Sequence, residues 1–267
     1  MNTLPSYETL KLERHGEHVL IVSINRPDVM NAINTQMGHD LLDLWRRLDA
    51  EPGDVRCAVL TGVGERAFCA GGDLKERNGM SSEAWRVQHE LFERAFMALL
   101  ECQIPVIAAV NGAAFGGGCE TLLACDFVYA AQHAKFGLSE VKLGIMPGGG
   151  GTQNLARAVG ERRAKELILS ARTFSAQEAH EWGMVNQVCI DNAALLVQVV
   201  QAAEAIATNA PLSVRQAKRS IHYGLQTDLL TGYRFEIEAY NRLVSTEDRL
   251  EGVLAFNEKR KPNWKGR

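Results

Sequence analysis

Apolar residues are gathered into short runs along the first half of the chain, and these runs predict β-strands. They cover residues 17–25, 55–61, 105–110 and 125–130. The run at 105–110 lacks any alternation of apolar and polar positions, which is typical of a strand that is buried on both faces. The pattern therefore predicts strands in the protein interior.

Helical patterns separate these strands. Thr35 is a suitable N-cap for an amphipathic helix over residues 35–49, and residues 81–101 predict a longer helix. Strands that are separated by helices indicate a mainly parallel α/β arrangement with right-handed crossovers.

The middle of the chain predicts shorter elements. We expect residues 135–141 to be extended, with Glu140 at the end of the segment. We expect Thr152 to cap the helix that follows a glycine-rich loop, residues 161–170 to be helical, and Ser175 to cap another helix.

From residue 191 onward the pattern is almost wholly helical. Apolar stripes recur in four segments, at residues 192–209, 212–224, 228–245 and 248–258. This change of pattern is the best domain boundary in the chain. We predict an α/β region with the functional site over residues 1–190 and a helical region over residues 191–267.

Two glycine-rich loops follow two of the predicted strands. They are CAGGD at residues 69–73 and GGGCE at residues 116–120. If the two strands are neighbours in a parallel sheet, both loops emerge at the edge where ligands of such sheets bind. One N–H group from each loop could then converge on one oxygen atom as an oxyanion hole. The alternative is that the glycines only form tight turns.

Two glutamates accompany these loops. Glu120 lies in the first turn of the helix after the triple glycine, and Glu140 follows a short apolar segment. Either one alone is more often a capping or surface carboxylate than a catalytic group. Two glutamates behind apolar segments would be costly to bury without a purpose, and a general acid–base pair is one such purpose.

The composition limits the classes of function. The 267 residues are 46% hydrophobic, which is ample for a core, and the net charge of −3 does not indicate a nucleic-acid-binding or membrane-surface protein. The six cysteines form no C-x-x-C pair, so we expect buried free thiols and a reducing compartment. Because the first residues contain no apolar signal-peptide segment, we expect a cytoplasmic location.

The motifs of several other chemistries are missing from the sequence. There is no G-x-S-x-G nucleophile elbow, no H-E-x-x-H, and no Cys/His cluster with zinc-site spacing. The glycine loops fit neither G-x-G-x-x-G nor the Walker A pattern, so a nucleotide-phosphate site is unsupported.

Five segments spread over nearly the whole chain resemble the enoyl-CoA hydratase/isomerase, or crotonase, superfamily. They are NRPDVMNAIN, FCAGGDLKER, AAVNGAAFGGGCE, AKFGLSEVKLGIMPGGGGTQ and RLEGVLAFNEKRKPNWKGR. The resemblance implies a crotonase-like α/β spiral of ββα units, followed by a C-terminal helical region that forms a homotrimer or a homohexamer. One departure is Asn154, where the family usually has arginine.

The resemblance also implies roles for the loops and the glutamates. The backbone N–H groups of Gly72 and Gly117 would form the oxyanion hole for the thioester carbonyl of an acyl-CoA. Glu120 would activate a water molecule, and Glu140 would supply a proton to the α-carbon. The implied activity is that of an enoyl-CoA hydratase, a lyase that adds water to a trans-2-enoyl-CoA by syn addition. No metal site and no cofactor are expected, because coenzyme A is part of the substrate.

Coenzyme A contacts are implied at further positions. These are Asp28, Met30, Ala32, Ala70, Asp73, Leu74 and Lys75, together with Phe256 and Lys259, which would reach the CoA of a neighbouring subunit. The alternative for the basic C-terminal tail is a solvated terminus.

Three other functions compete with general hydration of enoyl-CoA. The segment DLKERNGMS and the closing segment resemble the methylglutaconyl-CoA hydratase branch. Isomerisation of a 3-enoyl-CoA is a second enzyme alternative, although the presence of both glutamates favours hydration. A member that binds RNA or protein is the non-enzymatic alternative. RNA binding is disfavoured, because the helix predicted at residues 35–49 has only Arg46 and Arg47 as basic residues.

Overall fold

The computed structural model describes residues 4–267, and within that range the chain forms ten strands and eleven helices. The strands are β1 (Leu10–His15), β2 (Val19–Ile24), β3 (Cys57–Gly62), β4 (Ala67–Cys69), β5 (Val106–Val110), β6 (Ala113–Phe115), β7 (Phe127–Ala131), β8 (Lys135–Gly137), β9 (Phe174–Ser175) and β10 (Gln187–Cys189). The helices are α1 (Thr35–Ala50), α2 (Leu74–Arg77), α3 (Ser82–Glu101), α4 (Gly117–Leu123), α5 (Gly151–Val159), α6 (Glu161–Ser170), α7 (Ala176–Glu181), α8 (Asn192–Ala207), α9 (Pro211–Gly224), α10 (Leu229–Val244) and α11 (Glu247–Glu258).

The strands form two sheets. The larger sheet has six strands in the order β1-β2-β3-β5-β7-β10, and the smaller has four in the order β4-β6-β8-β9. Only the pairs β1–β2 and β8–β9 are antiparallel among the described strands; the other neighbours are parallel. The prediction of a mainly parallel α/β protein is therefore confirmed.

The larger sheet is covered on both faces, which explains its continuous apolar runs. Along β3, Ala58 and Leu60 face the core that includes α1 and α3, whereas Cys57 and Val59 face a second core that includes α8. Alternate residues of a strand point to opposite faces, so a strand with two buried faces has no polar side.

The helices begin close to the predicted residues, because a helix cap depends on residues that are near each other in the sequence. Asn34 accepts a hydrogen bond from the N–H of Met37 at the start of α1, so the cap lies one residue before the predicted Thr35. Ser175 caps α7 as predicted and forms a capping box with Glu178.

Two local expectations are wrong. The extended segment from residue 135 ends at Gly137, because Ser139 leaves the extended region of backbone space and Glu140 begins a 3₁₀ turn. Thr152 does not cap α5. Gly150, at a φ of +89°, turns the chain so that the helix begins at Gly151, before the threonine. Strands β1, β4, β6 and β9 were not predicted at all.

The helical end begins with α8, which packs on the larger sheet, and continues through α9, α10 and α11. The boundary at residue 191 stays a prediction. Within residues 4–267 no single helix is both long and apolar enough to cross a membrane. Helices α8 and α9 together meet that length and composition, but their axes differ by 106°.

Candidate active site

The two glycine-rich loops meet at one edge of the smaller sheet. Strands β3 and β5 are parallel neighbours, and so are the short strands β4 and β6 that lead directly into the loops. Gly71 has a φ of +94°, and a Cβ atom there would lie 2.8 Å from the carbonyl oxygen of Phe115. A Cβ atom on Gly118 would lie only 2.0 Å from the carbonyl oxygen of Cys69. The predicted juxtaposition of the loops is confirmed, and glycine is what permits it.

In the described part of the chain, each loop presents one backbone N–H group without a protein acceptor. The N–H of Ile33 donates to the carbonyl of Gly71 over 2.7 Å, and the N–H of Asp73 donates to the carbonyl of Ile33 over 2.8 Å. These bonds hold Gly72 in place and leave its own N–H unused within residues 4–267. Gly117 is the first residue of α4, where an N–H group has no partner within the helix. Both glycines line one cavity.

Glu120 is buried in the wall of this cavity, and its orientation is set by a distant loop. Its Oε1 atom accepts hydrogen bonds from the N–H groups of Gly149 and Gly151, each over 2.8 Å. Burial raises the pKa of the Glu120 carboxyl, and the bonds from Gly151 and Gly149 oppose that rise. Donors to a carboxylate stabilise its charged form, so Oε1 is held as an acceptor.

Glu140 lies in the same cavity in a contrasting environment. Both of its carboxyl oxygens are buried and receive no hydrogen bond from the described residues. Burial, and to a smaller extent the nearby charge of Glu120, raises the pKa of Glu140 to about 7. A carboxyl group with this pKa holds a proton for a large fraction of the time near neutral pH.

The cavity has a volume of about 570 Å³ and is open to solvent. Its walls combine the two glycine loops, one face of α3, and the segment between Glu140 and α5. Side chains and backbone that line it include Ile33, Leu74, Arg77, Trp85, His89, Phe92, Phe96, Leu143, Ile145 and Met146. The site is thus a mainly apolar pocket with two carboxyl groups and two free N–H donors, the combination expected for acid–base chemistry on a small carbonyl compound.

The structure brings together some of the predicted site residues. Glu120, Glu140, Gly72 and Gly117 line the cavity, as do Ala70 and Leu74. The proposed roles of these residues stay predictions.

The other predicted coenzyme A contacts lie outside the cavity wall. Asp28 and Met30 lie in and just after a 3₁₀ turn, and the carbonyl of Ala32 accepts a hydrogen bond from Arg26. Asp73 forms an ion pair with Arg26 over 3.0 Å and also caps α2.

Lys75 is exposed on α2, Phe256 is exposed on α11, and Lys259 follows the end of α11. Their contacts with coenzyme A likewise stay predictions. Within the described residues, no group of three or more His, Cys, Asp or Glu side chains is placed to hold a metal ion.

Several residues of the site were missed at the level of sequence. Gly149 and Gly151 hold Glu120, although the sequence suggested only a glycine-rich loop there. Arg77 on α2 and Trp85 and Phe92 on α3 also line the cavity, and nothing in the spacing of the two α3 residues separates a cavity-lining face from a core face.

Comparison with known proteins identifies the family. Residues 14–267 match the enoyl-CoA hydratase/isomerase family. A short-chain-enoyl-CoA hydratase of Clostridium acetobutylicum is 41% identical, with 94% of this chain and 95% of the relative covered. The mitochondrial methylglutaconyl-CoA hydratase of Mus musculus is 40% identical, with coverage of 96% and 82%.

The solved structures agree with this match. The crystal structure of an enoyl-CoA hydratase from Bacillus anthracis superposes with a TM-score of 0.94 at 43% identity, covering 97% of this chain and all of the other. The chain therefore belongs to the enoyl-CoA hydratase/isomerase family, and its fold is the crotonase fold.

Proposed function

We propose that this member of the enoyl-CoA hydratase/isomerase family is an enoyl-CoA hydratase, which adds water reversibly to a trans-2-enoyl-CoA and gives a 3-hydroxyacyl-CoA. The main observation in support is that two carboxyl groups in one cavity differ in their hydrogen bonds and in their pKa. Glu120 is held by two backbone donors, whereas the buried Glu140 has no donor among the described residues and its pKa is raised to about 7.

The two free N–H groups would activate the enoyl thioester as the electrophile of the reaction. The thioester carbonyl oxygen would accept hydrogen bonds from Gly72 and Gly117, which stabilise the negative charge that develops there as water attacks the β-carbon. This polarisation makes the β-carbon electrophilic, so the proposed reaction uses no metal or redox cofactor.

The two glutamates would divide the proton transfers between them. Glu120, as the carboxylate, takes a proton from water while the water oxygen forms a bond to the β-carbon. Glu140, as the neutral acid, gives its proton to the α-carbon, and the double bond becomes a single bond. Afterwards Glu120 holds the proton and Glu140 is ionised, so exchange with solvent restores the starting state. Different environments for two carboxyl groups are what such a division of roles requires.

Hydration of crotonyl-CoA by the purified protein tests the proposal. The absorbance of the conjugated thioester should fall, and 3-hydroxybutyryl-CoA should accumulate. No loss of absorbance with this or any other 2-enoyl-CoA would overturn the hydratase assignment. Exchange of deuterium into the α-carbon without net hydration would instead indicate double-bond isomerisation.

Hydration of 3-methylglutaconyl-CoA is a second candidate activity. It is favoured by the 40% identity to a protein named methylglutaconyl-CoA hydratase over 96% of this chain. Assays with crotonyl-CoA and 3-methylglutaconyl-CoA side by side distinguish the two, since a dedicated enzyme would turn over the second substrate alone.

We also propose that the chain assembles as a homotrimer or a homohexamer through its helical end. Large apolar side chains are exposed on α9 and α10, which is unusual for a surface that faces only water. They include Ile221, Leu229, Leu230, Tyr233, Ile237 and Tyr240. Light scattering after size-exclusion chromatography tests the assembly, and a monomer would contradict it.

All six cysteines are free thiols, which supports the proposed cytoplasmic location.

A further inference from the structure

Two rings of α3 lie against the loop that holds Glu120. A Cβ atom placed on Gly148 would lie 2.6 Å from Cε1 and 3.0 Å from Nε2 of His89. A Cβ atom placed on Gly149 would lie 2.5 Å from Cε2 of Phe96. His89 and Phe96 are seven residues apart, which is about two helical turns, so both rings project from the same face of α3. This face forms a floor under the loop.

These ring contacts, and not the backbone conformation, explain the glycines at residues 148 and 149. Neither Gly148 nor Gly149 has a φ in the left-handed region, whereas Gly150 has a φ of +89°. A side chain on either of the first two would instead overlap a ring of α3. The missing side chains therefore let the backbone of the loop rest directly on His89 and Phe96.

The loop needs this support, because much of it faces solvent. Residues 141–146 and Gly148 are exposed, and α5 begins only at Gly151. The N–H group of Gly149, which lies between these segments, donates to Oε1 of Glu120 over 2.8 Å. A shift of the loop would move this donor, and the carboxylate that it holds would move with it.

The imidazole of His89 is itself oriented by a neighbour on the same helix. Its Nε2 atom lies 3.0 Å from Oε1 of Glu93, one turn further along α3. Side chains at this i,i+4 spacing face each other on a helix surface, so the contact limits rotation of the ring. The atoms that the ring meets in the loop belong to the neutral backbone of Gly148. We therefore expect the shape of His89, and not its charge, to matter.

We propose that His89 is a positioning residue for Glu120, the general base of the proposed reaction. Its ring supports Gly148 and thereby fixes the adjacent N–H donor of Gly149. This inference rests on the proposed hydratase function and adds a residue that acts through the loop. Burial raises the pKa of the Glu120 carboxyl, and a charge on His89 would act against that rise. A direct electrostatic effect of His89 on Glu120 is therefore the competing explanation.

Two substitutions of His89 separate these explanations. His89→Ala removes the ring, so kcat for crotonyl-CoA hydration should fall by roughly 10–10²-fold with little change in KM, the scale expected for a small displacement of a catalytic group. His89→Gln keeps a planar N–H group near the position of Nε2 but cannot be charged. It should restore most of kcat and leave the pH profile of kcat/KM unchanged. If His89→Gln is as slow as His89→Ala, or shifts the acidic limb of that profile, the proposal is wrong.

A double-mutant cycle shows whether His89 acts through Glu120. In the Glu120→Gln background, His89→Ala should lower the remaining rate by less than about 3-fold, because the group that it positions is already absent. An equal loss in both backgrounds would mean that His89 acts on the substrate or on folding, which contradicts the proposal. His39→Ala is the matched control, because His39 is exposed on α1 and does not line the cavity. It should leave kcat unchanged.

Hydrogen exchange followed by mass spectrometry separates this proposal from the proposed function, because it needs no turnover. In the wild-type protein, the bonds to Glu120 should protect the amides of Gly149 and Gly151. His89→Ala should remove this protection, whereas His89→Gln and His39→Ala should keep it. That result would support the positioning role even if no enoyl-CoA were hydrated. Unchanged protection in His89→Ala would overturn it.

Discussion

The N–H group of Gly151 donates a hydrogen bond to Oε1 of Glu120 over 2.8 Å, and a Cβ atom on Gly151 would lie 2.8 Å from that same oxygen. The glycine thus both holds the carboxylate and leaves the room that it occupies. This contact joins the first turn of α5 to the first turn of α4. The position of the proposed general base therefore depends on a residue far from it in the sequence.

Gly151→Ala should displace Glu120 and lower kcat for crotonyl-CoA hydration by roughly 10²-fold, because small errors in the placement of a catalytic group are costly. The added methyl group would also meet Leu138 and Pro147, each at 3.0 Å, so it has no free space to enter. Gly224→Ala is the control, since its Cβ atom would meet nothing nearer than 3.8 Å. Steady-state kinetics measures kcat for both variants, and circular dichroism verifies that both are folded. An unchanged kcat in Gly151→Ala would contradict the assigned role of this contact.

Glu140→Gln and Glu120→Gln should each lower kcat by roughly 10²–10⁴, the usual contribution of a positioned acid or base. The amide keeps the shape of the side chain, and at residue 120 its oxygen can still accept from Gly149 and Gly151. We therefore expect KM for crotonyl-CoA to change little. Glu90→Gln, on the exposed face of α3, is a control for the loss of one charge. Near-normal rates in both active-site variants would exclude the proposed mechanism.

Glu140→Gln should also make the protein more stable at alkaline pH. Burial raises the pKa of Glu140 from 4.5 to about 7, so the folded state holds this proton more tightly than the unfolded state does. The stability that the group contributes is fully present below pH 4.5 and is lost as the pH rises through about 7. Glu140→Gln removes the titrating group. The free energy of unfolding of the variant, relative to that of the wild-type protein, should therefore increase across that pH interval.

The size of this effect follows from the pKa shift. At 1.36 kcal/mol for each pKa unit, the rise from 4.5 to about 7 limits the effect to about 3.4 kcal/mol. Solvent in the cavity screens the charge, so we expect about 1–2 kcal/mol. Urea unfolding at pH 5 and pH 8 measures it, and an advantage that shrinks with rising pH would have the wrong sign.

Gly117→Pro should remove one donor of the proposed oxyanion hole and leave α4 intact. Gly117 is the first residue of the helix, where proline is well tolerated because the missing N–H has no helical partner. We expect kcat to fall by roughly 10²–10³, the usual loss for one oxyanion-hole donor.

Gly117→Ala is the matched control for the donor. It keeps the N–H group and adds a Cβ atom 3.3 Å from Cδ1 of Ile33, the end of a side chain that can adjust. Equal activity of the proline and alanine variants, each compared by single-turnover kinetics, would show that this N–H group is not used.

Much of the architecture could be predicted because its causes are local. Apolar runs and cap residues gave the main strands and helices, and Glu161–Ser170 begins and ends at the predicted residues. Strand β1 was missed, and the extended segment at residue 135 was drawn too long. Their boundaries depend on pairing with other strands and on the 3₁₀ turn at Glu140, which no local pattern specifies.

By itself, the sequence determined that this chain is an α/β protein with two glycine-rich loops and two glutamates close to them in the sequence, whereas the meeting of both loops at one sheet edge depended on the order of the strands. Residue type and spacing suffice to identify these features, since glycine permits tight turns and close backbone approach and glutamate supplies a titratable carboxyl group. Only the tertiary structure decided that Gly149 and Gly151 anchor Glu120, and that Glu140 receives no hydrogen bond within residues 4–267. Those facts concern atoms brought together from distant parts of the chain, and burial, which sets the pKa of a carboxyl group, exists only once the chain has folded.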